Sequence, residues 1–276
     1  AAQELNLTQP AVSQHIRYLE NFYQVQLFYH AGKKVELTRA GELLRNSALT
    51  FKHDEIYLMR MLQDTAKNTR NFAFGATLSV AEFMLPPDLE RLICAYPQSH
   101  IRMEVGNTRE LLSKLDAGEL DFAVVEGEFP REEYEFLLYR KEPYVPVASR
   151  KKAEQYRNAE FRELLSERLI LREPGSGTRE ILERELRRRG MTTDDFSQIT
   201  ELGNIGAIQA MLRANLGISF FYQATLTDRE TQLAPIELKD FSLEHEVMFI
   251  FRKNSSFRED YEEIYAFLTN RENSQN

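Results

Sequence analysis

The sequence predicts an α/β protein in which a helix-turn-helix and a long linker helix precede two α/β lobes. Three observations support this prediction. A short amphipathic helix follows a turn near the start of the chain. The run 39–67 contains no proline and a single glycine, which is typical of one long helix. From residue 72 onward, apolar strands alternate with amphipathic helices, a pattern typical of sheets covered by helices.

The segment 1–44 is predicted to bind DNA. Ala1, Ala2 and Leu5 close one apolar-periodic segment, and Thr8, a good N-cap residue, opens the next. Two helices joined by a short turn form a helix-turn-helix, whose second helix lies in the DNA major groove. We expect the base edges and phosphates to be contacted from this second helix. The residues concerned are Thr8, Gln9, Pro10, Ser13, Gln14 and Arg17.

Two stretches, LTQPAVSQHIRYLE and LFYHAGKKVELTRAGELL, resemble the winged helix-turn-helix of the LysR-type transcriptional regulators. The resemblance extends over the whole chain and is most specific in these stretches. It implies a β-hairpin wing in which His30, Lys33 and Lys34 contact phosphates. The family usually has glycine where Gln24 stands and arginine where His30 stands. The family's first helix is missing from this sequence, so we expect the segment to be incomplete at its start.

Residues 45–71 are predicted to form a linker helix and a hinge. Apolar residues recur there and just before it at near-heptad spacing: Leu44, Ala48, Phe51, Leu58 and Leu62. This spacing predicts a seam between two paired helices. The alternative is a helix that packs on its own domain. The resemblance also implies a linker that pairs two subunits, so we expect a homodimer or a homotetramer.

The rest of the chain is predicted to form two lobes with parallel sheets. We assign residues 72–142 and 246–276 to lobe I and residues 143–245 to lobe II. The resemblance implies an effector domain that is periplasmic-binding-protein-like, in which the returning chain completes the first lobe. Ligands of open α/β sheets bind beyond the carboxyl ends of the strands. We therefore expect an effector between the lobes.

Individual elements of the lobes follow from hydrophobic periodicity. We predict a helix over residues 80–96 that Pro86 and Pro87 interrupt, a strand over residues 144–148 and a helix over residues 159–165. Cys94, the single cysteine, lies in an apolar helical run and is expected to be buried rather than redox-active. One cysteine forms no internal disulfide, which fits a reducing compartment.

Two loops are predicted to hold the effector. Residues 75–79 and 172–178 each join a strand to a helix and carry hydroxyls and glycines at a helix N-terminus, where an anion is favoured. The alternative is that these side chains only cap their helices. Because the pair matches the family's effector loops, we carry over five effector-binding residues: Thr77, Ser79, Ser176, Thr178 and Asn204.

Glu126 and Glu128 follow the third predicted strand of lobe I. We expect both to be solvated loop residues. If they faced the cleft instead, they would disfavour a bare anion and suit an amine or an amphoteric ligand.

The charge of the chain is unevenly distributed. The net charge is −8, but residues 1–53 hold six Lys/Arg and four Asp/Glu, so the segment predicted to bind DNA is mildly basic. No apolar run reaches the length that a membrane span needs. The sequence contains no His-Glu-x-x-His, no paired-cysteine zinc spacing and no Gly-x-Ser-x-Gly.

These observations predict a cytoplasmic LysR-type transcriptional regulator that binds double-stranded DNA and a small-molecule effector. We expect no catalytic activity, no cofactor, no metal and no membrane contact. The alternative is a solute-binding or transport-linked module, which the two lobes alone would permit. The first 44 residues argue against that alternative.

Overall fold

The computed structural model describes residues 2–3, 5–32, 34–226 and 232–270. The chain divides into two compact units, residues 1–52 and 53–276, each of which is described by itself. The domain boundaries given above remain predictions.

The α-helices of the described residues are α1 (Gln9–Tyr23), α2 (Arg39–Lys67), α3 (Pro86–Ala95), α4 (Thr108–Ala117), α5 (Arg150–Gln155), α6 (Gly177–Arg188), α7 (Ile205–Arg213) and α8 (Arg258–Thr269). The strands are β1 (Phe28–Ala31), β2 (Lys34–Leu37), β3 (Phe72–Ala76), β4 (Ile101–Val105), β5 (Phe122–Val125), β6 (Tyr134–Ser149), β7 (Arg168–Leu171), β8 (Gln198–Glu201), β9 (Ser219–Tyr222), β10 (Leu233–Pro235) and β11 (Glu244–Arg252). A π-helix, Val80–Met84, and a 3-10 helix, Phe161–Ser166, lie between them.

The first unit contains the helix and the wing that the sequence predicts. The Thr8 hydroxyl accepts a hydrogen bond from the backbone N–H of Ala11 at 3.4 Å and so caps α1. Helix α1 ends at Gln24, whose φ of 56° is left-handed, a conformation that glycine adopts without strain. Strands β1 and β2 pair as an antiparallel hairpin. None of the residues of α1, all of which the structure describes, is buried.

Gly41 lets the wing approach the start of α2. A Cβ atom added at Gly41 would lie 2.1 Å from the carbonyl oxygen of Leu27, a backbone atom that no side-chain rotation can move away. The same corner is fixed by Thr38, whose hydroxyl donates to the carbonyl of Gln26 at 2.7 Å and accepts from the N–H of Gly41 at 3.0 Å. The Leu-Thr-x-Ala-Gly-Glu motif therefore encodes a close contact between strand and helix.

The linker helix α2 has two different faces. Phe51 is 71% exposed and Leu62 is 63% exposed, so these members of the predicted seam are open to another helix. On the other face of the part of α2 that belongs to the second unit, His53 and Tyr57 are buried, and Arg60 forms an ion pair with Asp121. The helix thus packs on its own domain along one face, and the pairing of subunits along the other face remains a prediction.

The second unit is built on one seven-stranded sheet with the order β10-β6-β11-β5-β3-β4, to which β9 adds by pairing with β6. Strands β7 and β8 form a separate parallel pair. We call β3, β4, β5, α3, α4 and α8 lobe I, and α5, β7, β8, α6, α7, β9 and β10 lobe II. Strands β6 and β11 connect the two lobes. They remain paired where the chain passes from one lobe to the other, with Glu142 opposite His245 and Pro143 opposite Glu244.

The prediction of parallel sheets is right for part of the molecule and wrong for the rest. β3 pairs in parallel with β4 and β5, and β7 pairs in parallel with β8. β11 is antiparallel to β5 and to β6, and β6 is antiparallel to β9 and β10. The returning strand β11 reverses the direction of the sheet, which a strand-helix alternation read from sequence does not reveal.

Four smaller predictions also differ from the structure, although the interruption expected at Pro86 and Pro87 is where α3 begins. The predicted strand 144–148 is only the last third of β6. The predicted helix 159–165 is a 3-10 helix, Phe161–Ser166, and the helix predicted over 80–96 is a π-helix followed by α3. Cys94 is exposed, because the buried residue of this turn of α3 is Leu92 and Cys94 lies two positions further along the helix.

The core of lobe I is a row of aromatic rings across the sheet. The rings of Phe74 and Phe122 stack at 4.9 Å, and those of Phe122 and Phe249 stack at 4.6 Å. They lie on β3, β5 and β11, which are neighbours in the sheet, so each ring packs on the next. Within the described part of the chain, every helix is too short or too polar to span a lipid bilayer.

Gly41→Ala should destabilise the first unit by about 1–3 kcal/mol, because the added methyl group forces α2 away from the backbone of Leu27. Thermal unfolding of the full chain, followed by circular dichroism, measures the change. Leu43→Ala on the exposed side of the same helix is the matched control and should have little effect. Equal melting curves for Gly41→Ala and the unsubstituted chain would contradict the close contact.

Candidate functional site

The residues predicted to bind DNA lie on open surfaces of the first unit. Ser13, Gln14 and Arg17 are exposed on α1, and Thr8, Gln9 and Pro10 are exposed at its first turn. His30 is exposed on β1 and Lys34 on β2. Lys33 lies outside the described residues. A helix and a hairpin that both present polar side chains to solvent suit a groove and the phosphates beside it.

A cavity of about 300 Å³ lies between the lobes at the carboxyl ends of three strands. Thr77 follows β3, Glu126 follows β5 and Arg172 follows β7, and all three line the cavity. Ser176 and Gly177, at the start of α6, close it from lobe II. This is the place where open α/β sheets bind their ligands, and it unites the two predicted effector loops.

The predicted effector residues differ in whether they cap a helix. Asn204 does, since its Oδ1 accepts from the backbone N–H of Ala207 at 2.9 Å, and its side chain is exposed. Ser79 and Ser176 occupy N-cap positions, but neither makes a capping hydrogen bond within the described residues. The Ser176 hydroxyl instead contacts that of Thr178 at 2.9 Å. Capping therefore accounts for Asn204 and leaves Ser79 and Ser176 available to another partner.

Glu126 is a buried carboxyl group between the lobes. Its residue is 5% exposed, so the expectation that it is a solvated loop residue is wrong. Burial raises the pKa of Glu126 to about 8, while the Arg172 guanidinium and the hydroxyls of Thr77 and Ser79 lower it. Glu128 behaves as expected, being exposed, and it forms an ion pair with Arg184 at 2.9 Å.

Three polar atoms in this region have no hydrogen-bond partner among the described residues: Thr77 Oγ1, Ser79 Oγ and Glu126 Oε2. All three are buried, and the two hydroxyls lie near enough to the Glu126 carboxyl to lower its pKa. Buried polar atoms nearly always have partners, so a group of three without any is typical of a ligand site.

Gly177 brings Glu126 of lobe I against the backbone of lobe II. A Cβ atom added at Gly177 would lie 3.0 Å from Cγ and 3.2 Å from Oε1 of Glu126, tighter than an ordinary contact. The glycine therefore allows a close approach between the two lobes. Opening the lobes would return the carboxyl group to water.

Arg172, the cation among the described residues that line the cavity, is already paired with Glu173. Arg172 Nε donates to Glu173 Oε2 and Arg172 Nη2 donates to Glu173 Oε1, both at 2.7 Å. The N-terminus of α4 is also occupied, because Asn107 and Glu110 form a capping box with hydrogen bonds of 3.0 and 3.1 Å. The sequence analysis did not identify Arg172, Asn107 or Glu110. For Arg172 there was a signal, since it follows β7 directly, at the carboxyl end of a strand.

A second cavity of about 1180 Å³ lies on the other side of the contact between Glu126 and Gly177. Both of these residues line both cavities. Charged residues of either sign line the larger cavity, and the ion pair of Glu128 and Arg184 crosses it from one lobe to the other. Thr77, which carries one of the unpartnered atoms, lines the smaller cavity and not this one.

Glu126 should make the stability of the second unit fall as the pH rises. Its pKa in the folded chain, about 8, lies above the unfolded value of 4.5, so the folded state binds more protons between these values. The stabilisation is complete below pH 4.5 and is lost as the pH rises through 8. The loss should be on the order of a few kcal/mol. Glu126→Gln keeps the shape and removes the titration, so it should flatten this slope in urea unfolding between pH 6 and 9.

Glu128→Gln is the matched control, since it removes a carboxyl two residues away that is exposed. This variant should keep the slope of the unsubstituted chain. An undiminished slope in Glu126→Gln would show that the carboxyl is not buried as described.

Two family models match the chain. "Bacterial regulatory helix-turn-helix protein, lysR family" matches residues 1–42, and "LysR substrate binding domain" matches residues 66–272. Among similar proteins, the HTH-type transcriptional regulator CysL of Bacillus subtilis is 26% identical over 98% of this chain and 89% of the relative. The RuBisCO operon transcriptional regulator of Allochromatium vinosum is 29% identical over 92% of this chain and 84% of the relative.

Solved structures show the same fold. H2O2-bound mutant OxyR of Corynebacterium glutamicum matches 97% of this chain and 85% of its own, with a TM-score of 0.65 and 22% identity. The regulatory domain of CcmR from Synechocystis PCC6803, in complex with 2-PG, matches 74% of this chain and 99% of its own, with a TM-score of 0.63 and 22% identity. The family models cover both units, so the chain belongs to the LysR family of transcriptional regulators.

Proposed function

We propose that the chain reads double-stranded DNA with α1 and the β1–β2 wing and senses a small molecule in the cavity between the lobes. The observation that carries the sensing role is the group of buried, unpartnered polar atoms on Thr77, Ser79 and Glu126. Similar proteins are named as transcriptional regulators, and the CcmR domain is described in complex with 2-PG. These findings support a regulator whose effector occupies the same cleft.

The DNA-binding residues are proposed to divide into two groups. Ser13, Gln14 and Arg17 on α1 are placed to contact base edges, and Lys34 on the wing is placed to contact a phosphate. Thr8 caps α1 and thereby positions the helix. His30 is exposed on the same hairpin and is proposed to contact the backbone of the DNA.

The effector is proposed to act by selecting one angle between the lobes. Glu126 and Gly177 contact each other across the cleft, so a ligand beside them binds differently to open and closed arrangements. A ligand shifts such an equilibrium only through its differential affinity for the two states. Oligomers are typical of this family, and we propose that two subunits pair along the exposed stripe of α2 and two such dimers form a tetramer. A change of lobe angle would then alter the spacing of the DNA-reading helices.

The alternative, a solute-binding or transport-linked module, would use the lobes without the first unit. The winged helix-turn-helix, which a family model matches, argues against it. We propose that the chain has no catalytic role: relatives are regulators, and among the described residues no cluster of His, Cys, Asp and Glu could hold a metal ion. Regulation of transcription would place it in the cytoplasm, with the chromosome.

Substitutions on α1 and on the wing should weaken DNA binding in different ways. Gln14→Ala or Arg17→Ala should weaken binding to a duplex that the protein selects from a random pool, by about 1–3 kcal/mol, and should relax the preference at single base positions. Lys34→Ala should weaken binding to all sequences and lower the salt dependence by roughly one counterion. Fluorescence anisotropy at several salt concentrations measures both effects.

Lys151→Ala is the charge-matched control, because Lys151 is exposed on α5 of the effector unit. This variant should keep both the affinity and the salt slope. Unchanged binding in both Gln14→Ala and Arg17→Ala would remove the proposed role of α1.

A ligand that binds the cleft should raise the thermal stability of the chain. A screen of the full chain against small carboxylates, amino acids, sulfur metabolites and phosphate metabolites that include 2-PG should give a stabilising compound. At a hundredfold excess over the dissociation constant, binding adds about 2.7 kcal/mol to the free energy of unfolding. Ser79→Ala and Ser176→Ala should each reduce this gain, because both hydroxyls are left without capping roles.

Ser197→Ala, which removes an exposed hydroxyl elsewhere in lobe II, is the control and should leave the stabilisation intact. If the same compound stabilises all these variants equally, its site lies elsewhere.

A further inference from the structure

Three oxygen atoms at or beside the small cavity lack hydrogen-bond partners among the described residues. Thr77 and Glu126 line the cavity, and Ser79 lies next to the Glu126 carboxyl. The three unpartnered atoms are two hydroxyl oxygens, on Thr77 and Ser79, and one carboxyl oxygen, on Glu126. An ionised carboxylate accepts hydrogen bonds and donates none, and a hydroxyl oxygen accepts as well as donates. Three neighbouring acceptors suit a group with several N–H donors, and an ammonium group carries three.

The charge around the cavity favours the same group. Among the described residues that line it, three carry carboxyls, namely Glu110, Glu126 and Glu173, and Arg172 is the cation. Arg172 is held by two hydrogen bonds to Glu173. A bare anion would therefore meet more negative than positive charge, and the guanidinium would have to leave its partner to bind it.

The opposite wall of the cavity suits the other end of an amphoteric molecule. Helix α6 begins at Gly177, and its N-cap residue, Ser176, makes no capping hydrogen bond within the described residues. The free N–H groups of a helix's first turn favour a carboxylate. A cavity of about 300 Å³ corresponds to roughly ten water molecules, which is the size of a small amino acid with its hydration.

We propose that the effector is a small amphoteric molecule whose ammonium group binds the carboxylate of Glu126 and the hydroxyls of Thr77 and Ser79. This inference rests on the proposed function, because it names the ligand class of the same cleft. Glu126 is then the residue that selects the ligand. A molecule of the same shape with a hydroxyl in place of the ammonium lacks the charge and two of the donors, so it binds more weakly.

Binding of an ammonium group should release a proton from Glu126. The groups that face its carboxyl are Arg172, Thr77 and Ser79, together with Tyr144 and Tyr222, whose pKa values burial and the Glu126 charge raise. Because burial holds the pKa of Glu126 near 8, the carboxyl is mostly neutral at pH 7 in the empty cleft. The ammonium favours the ionised form, so the affinity for the amphoteric ligand should rise between pH 6.5 and pH 8.5.

The test uses the full chain and the twenty standard amino acids, with glycolate and 2-PG as ligands without an amine. Each amino acid that binds is compared with the 2-hydroxy acid of the same carbon skeleton by titration calorimetry. We expect at least one amino acid to bind. The affinity for its hydroxy acid should be lower by at least about tenfold. In Glu126→Gln, the affinity for the amino acid should fall by about the same factor. The affinity for the hydroxy acid should change little.

Two further measurements separate recognition from damage to the fold. Glu126→Asp keeps the charge and should retain part of the preference for the amino acid. Calorimetry at pH 7 in two buffers of different ionisation enthalpy should show proton release in the unsubstituted chain and none in Glu126→Gln. Melting temperatures at pH 6 establish that each variant is folded.

The inference is overturned if only amine-free anions bind, if no amino acid binds, or if Glu126→Gln weakens amino acid and hydroxy acid equally. Binding of 2-PG or glycolate that requires Ser79 and Ser176 would overturn the inference while supporting the proposed sensing cleft. Absence of any binding would count against both, and the DNA titrations would still test the regulator role independently.

Discussion

Strands β6 and β11 form the antiparallel pair on which both lobes are built. Their pairing runs from Tyr134 to Pro143 on β6 and from Glu244 to Arg252 on β11, with one irregularity between Val247 and Met248. Lobe I adds β5 to β11, and lobe II adds β9 and β10 to β6. The lobes are therefore joined through one continuous antiparallel pair of strands.

Side-chain contacts fix the part of β6 and β11 that passes from lobe I to lobe II. Glu142 Oε1 accepts from the backbone N–H of Ala224 at 2.7 Å, and the same carboxylate pairs with Arg140 at 2.5 Å. On the neighbouring strand, the hydroxyl of Tyr222 lies 3.1 Å from Nδ1 of His245. Burial lowers the pKa of His245 to about 4, so the imidazole is neutral near pH 7. Burial raises the pKa of Glu126 to about 8, so the charge of this carboxyl changes with pH near neutrality. Burying a charge without a partner is costly, so the contact between the lobes at Glu126 favours the neutral carboxyl.

The sequence predicts the elements better than it predicts their partners. Local patterns define α2 well: the predicted range 39–67 agrees with the structure. The first ten residues of β6 are missed because Arg140, Lys141, Glu142 and Pro143 have the composition of a loop. They form a strand because tertiary contacts, such as the bond of Glu142 to Ala224, satisfy their polar groups.

At the candidate site, too, the sequence predicts which groups are present better than it predicts what they contact. Thr77 and Ser176 were carried over from the family resemblance of their loops, and both line the cavity. The burial of Glu126 could not be predicted from its neighbours in the sequence, because it depends on Gly177 of the other lobe, 51 positions further along the chain. Local sequence records which groups a loop carries. Whether such a group meets water or a second lobe is decided by contacts between distant segments.

The docking of α2 has the specificity that a transmitting element requires. His53 Nε2 lies 3.0 Å from the carbonyl oxygen of Leu120, and the carboxylate of Asp54 accepts from Ser255 Oγ at 2.6 Å and from the N–H of Ser256 at 2.7 Å. Buried polar contacts of this kind are directional, and a helix that slid or rotated on lobe I would leave several polar groups without partners. A purely apolar face would instead allow the helix to take a range of positions on lobe I. The exposed stripe that includes Phe51 and Leu62 lies on a different face, so pairing with a second subunit and docking on lobe I do not compete for the same side chains. Helix α2 is continuous over 29 residues and about 40 Å long, so both sets of side chains lie on one element.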